Sequence, residues 1–70
     1  MRQKWIVADS EHLGGAPRVR ETRISVALLL ELLATGMSIV EISHEYPSLS
    51  AAAIRGTLKE LAQSDSLSAA

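Results

Sequence analysis

Cysteine and phenylalanine are both absent from these 70 residues, and tryptophan and tyrosine occur once each. Without cysteine there is no disulfide and no thiolate zinc site. Two histidines, His12 and His44, stand far apart with no carboxylate at ligand spacing, so no metal is expected. No apolar run approaches the roughly 18 residues of a membrane span. The opening MRQKWIVADS lacks the apolar h-region of a signal peptide, which makes a cytoplasmic, reducing location the expectation. Charge of one sign is also lacking. Seven basic and eight acidic residues leave a net charge of −1, which excludes a generic polyanion-binding tail. Finally there is no Ser/His/Asp set, no glycine-rich phosphate loop and no carboxylate cluster. A chain this short has little left to wall a pocket, so neither an enzyme nor a cofactor is expected.

Hydrophobic residues, many of them Ala and Leu, make up 47% of the chain. A domain of this size buries only about 60% of the surface its unfolded chain exposes. With disulfide and metal excluded, association into a homodimer is the stabilising device that remains. The charges are unevenly spread. Residues 1–23 hold Arg2, Lys4, Arg18, Arg20 and Arg23 against three acidic groups, whereas Arg55 and Lys59 are the only cations beyond them. Any attraction to nucleic acid would come from the first third.

Three parts follow from the punctuation: a hairpin arm over 1–24, a three-helix core over 25–63, and a small polar tail over 64–70 that should fray. Lys4–Val7 and Arg18-Val19-Arg20 read as two short strands across a loop holding Gly14, Gly15 and Pro17. Such a hairpin is marginal alone and must lie on a helix or pair with a second chain. Ser25–Thr35 reads as the first helix, apolar almost all round, with Glu31 its single charge. Gly36 and Met37 suit a Schellman end. Ser38–Tyr46 is the second helix, opened by a capping box, Ser38 with Glu41, and stapled by Met37 and Ile42. Pro47 stops it. Ser50 caps a third helix running to about Gln63, with Ile54, Leu58 and Leu61 inward and Arg55 and Lys59 outward. Gly56 in mid-helix costs about 1 kcal/mol against Ala and is tolerated where another backbone comes close.

The second and third helices, joined by Tyr46-Pro47-Ser48-Leu49, resemble a helix-turn-helix pair on a supporting helix. Its base-reading turn would be Ala51-Ala52-Ala53, which can touch only a thymine methyl. Arg55 could pair with a guanine and Lys59 with a phosphate, or both could be solvated surface. Arg18, Arg20 and Arg23 could line a nucleic-acid backbone. They could instead enter an acidic pocket of a partner, or Arg23 could pair locally with Glu21 or Glu45. Trp5, Leu28, Leu29 and Leu32 are the expected dimer or partner contacts, since the first helix needs cover on two sides.

The run Gly14-Gly-Ala-Pro-Arg-Val-Arg-Glu-Thr-Arg-Ile-Ser-Val26, followed by Leu28–Ser38 and by the Tyr46-Pro47-Ser48-Leu49 block, resembles domain-of-unknown-function family 433, with VapB-like antitoxins among its annotated members. The resemblance spans about residues 5–62. It implies a mainly α, homeodomain-like three-helix helix-turn-helix bundle behind a short N-terminal β-hairpin. It also implies a partner toxin, often a PIN-like ribonuclease, and possible binding of operator DNA for autoregulation. This chain has Ala16, Glu21 and Ser25 where family members mostly have Lys, Gly and Pro. The expected function is therefore an antitoxin-like, non-enzymatic homodimer. The alternative is an interaction module without DNA binding.

Overall fold

The computed structural model describes residues 5–11 and 13–63. Two short strands, β1 (Ile6–Val7) and β2 (Arg18–Val19), precede three helices, α1 (Val26–Ala34), α2 (Ile39–Glu45) and α3 (Ala51–Ala62). This is the mainly helical domain with an N-terminal hairpin that the sequence predicts. The expected strand start at Lys4, the loop His12 and the tail over 64–70 lie outside the described residues.

The helix ends are local chemistry. Ser25, Ser38 and Ser50 stand in extended backbone, and each accepts from the N–H three residues on. Glu41 Oε1 returns the bond to the Ser38 N–H at 2.8 Å, which completes the capping box. Hydrogen bonding from the Ser38 backbone N–H, and after it from the Ser38 side chain, holds the Glu41 carboxyl below its usual range, against an opposing effect of desolvation. Gly36 takes φ 102°. Its N–H donates to Leu33 O at 3.0 Å and that of Met37 to Leu32 O at 3.3 Å, the two bonds of a Schellman end.

The N-terminal region is built differently. Ile6 pairs with Val19 and Val7 with Arg18, antiparallel. The chain then folds back, so that Arg18 also bridges Ser25. Val19 N–H donates to Ile24 O and Val26 N–H to Pro17 O, both at 3.0 Å. β2 therefore runs between β1 and the entry to α1. The turn at its end is closed by Thr22 N–H to Val19 O at 3.0 Å, with Glu21 at φ 65°. A positive φ at that place in a turn is the conformation for which glycine is the usual choice.

One core joins both regions. Val19, Ile24, Leu29, Ile42, Leu49, Ala53 and Ile54 form its buried cluster, with Trp5, Leu32, Leu33, Met37, Ile39, Tyr46 and Leu58 packed around it. Burying each large aliphatic side chain contributes about 1.5–3 kcal/mol. Leu29 is 0% exposed, so it serves this core and cannot meet another molecule. That corrects its assignment to the dimer interface. Helical periodicity sets which residues share a face, but not which face points inward. Ala53 and Thr57 are also buried. The first turn of α3 thus turns part of its expected base-reading edge into the protein.

The hairpin lies on α3 through Trp5. Its N–H donates to Glu60 Oε1 at 2.6 Å. Its indole occupies the space where a Cβ on Gly56 would stand. The close approach that Gly56 allows is therefore by an aromatic side chain, not by another backbone. No helix among the described residues is long and apolar enough to cross a membrane.

Candidate functional site

The turn after β2 and the turn between α2 and α3 flank an open groove of about 830 Å³. Arg18, Arg20 and Arg23 line it, with Asp9 and Glu21 among them and Ser48 contributed by the α2–α3 turn. The three arginines picked from the sequence thus come together. The structure gives each a different role.

Arg18 is committed to the fold. Its Nη1 donates to Thr22 O and its Nη2 to Asp9 Oδ2, each at 3.1 Å. Its side chain is only 12% exposed, and its Nε is buried without a hydrogen-bond partner among the described residues. The guanidinium ties the loop after β1 to the turn after β2. This corrects its assignment as a nucleic-acid contact: the group that would meet a phosphate already holds the protein together. Asp9 is 46% exposed, so the cost of losing this pair falls on the largely buried guanidinium rather than on the carboxylate.

Arg20 is half-buried, with its guanidinium carbon 4.6 Å from the centre of the Trp5 ring. Its N–H donates to Trp5 O at 2.7 Å. A cation over an indole face is attracted by the ring quadrupole and held in one orientation. Trp5 is correspondingly half-buried between its own α3 and Arg20, which leaves it little surface for the expected partner contact.

Arg23 is exposed. It forms no ion pair with Glu21 or Glu45 among the described residues, so the local pairing considered for it is not made. Its neighbours are fixed. Thr22 is 7% exposed and Ile24 9%. The Thr22 hydroxyl donates to Val19 O at 2.8 Å and accepts from Ile24 N–H at 3.0 Å. Arg23 therefore projects from a backbone anchored on both sides, while its guanidinium stays available. Glu21, exposed and held at positive φ, lies between Arg20 and Arg23 in sequence.

A second exposed apolar area is on α1, on the two flanks of buried Leu29. Leu28 is 37% and Leu30 42% exposed. Leu32 is half-buried against the core, so of the four expected interface residues Leu28 alone is well exposed. Leu30 was not among the expected interface residues. In a helix apolar on every face, composition cannot tell inside from outside. On α3, Arg55 and Lys59 are both exposed, on the outer face where their spacing puts them. Ser48, Asp9 and Glu21 were likewise missed as groove residues. The departure of Glu21 from the family pattern was the one signal available.

Neither a curated protein nor a solved structure matches the chain. The family model described as protein of unknown function (DUF433) matches residues 6–59, from the first residue of β1 into the last turn of α3. A match that takes in both strands and all but the end of the helical region shows that the chain belongs to domain-of-unknown-function family 433.

Proposed function

We propose that this chain is an antitoxin-like binding protein without catalytic activity, which works in the cytoplasm as a homodimer and neutralises a PIN-like ribonuclease. The observation that carries this reading is Arg23: an exposed guanidinium, free of internal pairing among the described residues, on a turn anchored by buried Thr22 and Ile24. A nuclease of that kind holds its metal with clustered carboxylates. A guanidinium forms strong charge-assisted bonds with carboxylates and competes with the metal for them. A pre-anchored turn loses little entropy on docking.

The dimer contact in this reading is the exposed part of α1, where Leu28 and Leu30 stand on opposite flanks of buried Leu29. The homeodomain-like role belongs to α2, the turn Tyr46–Ser50 and α3, with Arg55 and Lys59 available to operator phosphates. The alternative, an interaction module without DNA binding, draws support from the burial of Ala53 and from the acidic groups Asp9 and Glu21 in the groove.

The test is co-expression. A PIN-like ribonuclease encoded beside this chain is expressed in a host with and without it. Growth arrest relieved by the chain, together with a co-purified complex, is the expected result. Arrest that persists despite soluble chain overturns the reading.

A further inference from the structure

We infer that the groove is a receptor for an extended polypeptide segment of a protein partner, one that carries an acidic and a basic side chain close together. The inference rests on the reading of this chain as a protein-binding module and adds the chemistry its groove selects. A polyanion such as DNA presents one sign of charge along its whole length. The groove does not match that. Asp9 and Glu21 line it together with Arg20 and Arg23. Asp9 is already paired with Arg18, but phosphates drawn to Arg23 would lie against the Glu21 carboxylate. A peptide of mixed charge places its carboxylate on Arg23 and its cation on Glu21, so that like charges do not meet. The wall also offers Val7 and Ile24 to an apolar residue between them, and Ser48 supplies a hydroxyl from the opposite turn.

The backbone supports the same reading. Glu21 stands at φ 65°, where a side chain is strained and glycine is not. It is exposed and has no hydrogen bond or ion pair among the described residues that would offset the strain. A strained residue retained at the mouth of a groove points to a role in what the groove selects. Here the carboxylate acts as a selector: it rejects uniform polyanions and accepts a cation beside the acid bound by Arg23. The shape matters too. The arginines line a concavity, which an extended segment of the partner can enter.

Random ten-residue peptides displayed on phage, selected on the purified chain, test this without any ribonuclease. Enriched peptides are expected to pair Asp or Glu with Lys or Arg within three positions. Resynthesised and labelled, they should bind Arg23→Ala and Glu21→Gly at least about tenfold more weakly. A labelled 20-base-pair duplex should bind wild type more weakly than these peptides and bind Glu21→Gly more tightly than wild type. Three results overturn the inference: no enrichment, enriched peptides indifferent to both substitutions, or duplex binding tighter than peptide binding and lost in Arg23→Ala. Circular dichroism of both variants guards against misfolding as the cause. The co-expression experiment fails separately, because a mixed-charge peptide can bind this groove whether or not the partner is a nuclease.

Discussion

From Ser25 onward, each helix carries its own start signal within four residues, and α1 carries its own stop in Gly36 and Met37. Residues 5–24 have nothing comparable. Their strands are two residues each, their turns place Leu13 and Glu21 at positive φ, and their contacts reach to α3. The helical region is therefore specified mostly by neighbours in sequence, and the N-terminal region by neighbours in space. The difference also divides the labour. The helices supply the core, while the region that depends on them carries the groove and its available cation.

Substitutions can break this division, and the largest effect should come from the residue that joins the two regions at their centre. Leu29→Ala leaves a cavity in the buried cluster that Leu29 shares with Val19 and Ile42 and should cost about 2–5 kcal/mol, a large part of the stability of a small domain. Urea denaturation should show both regions lost in one transition.

Next is the attachment of the hairpin. Gly56→Ala gains about 1 kcal/mol of helix propensity but drives a methyl into the Trp5 indole. Overpacking of this kind costs about 1–3 kcal/mol, so the net effect should be destabilising. Trp5 fluorescence should shift to the red, since the indole is pushed into water. A variant more stable than wild type with unmoved emission would show that the hairpin does not rest on α3.

Smaller and purely local is the capping box. Ser38→Ala should cost about 1 kcal/mol and leave Trp5 emission unchanged. The same box sets a pH dependence. The carboxyl of Glu41 is held below its usual range by its bonds to Ser38. A depressed folded value means a contribution present above the ordinary carboxylate range and lost as pH falls through the depressed one. Glu41→Gln, which has no titratable carboxyl, should remove that part of the acid sensitivity of the wild type, whereas Ser38→Ala keeps the backbone donor and most of it; paired pH titrations of stability will show this.

The smallest effect has the opposite sign. Glu21→Gly relieves a positive-φ side chain and should stabilise the fold by up to about 1 kcal/mol, the gain being partly offset by the larger entropy that glycine gives the unfolded chain. Thermal denaturation at neutral pH measures it.

The two regions also differ in how far the sequence alone reveals them. The caps at Ser25, Ser38 and Ser50, the Schellman pair and the stop before Pro47 are legible because partner and signal lie within a few residues. The hairpin strands are legible from their composition. The inward direction of Leu29 was not, because α1 is apolar on every side and only the position of Val19 and Ile42 decides which side is covered. In the groove, three arginines in six residues stand out. That Arg18 bonds Asp9 and Thr22 while Arg20 lies on Trp5 depends on contacts across the loop of residues 8–17, which spacing does not encode. Ser48 joins the groove from the far turn for the same reason.

Arg23 is the residue on which the functional account turns, and unlike Arg20 it can be truncated without disturbing a packed contact. A purified PIN-like ribonuclease from the neighbouring gene, titrated with wild type and with Arg23→Ala at matched thermal stability, is the most direct measurement. The account predicts that the variant remains folded and inhibits at least about tenfold less well, a difference of about 1.4 kcal/mol. Equal inhibition by the two proteins would contradict it.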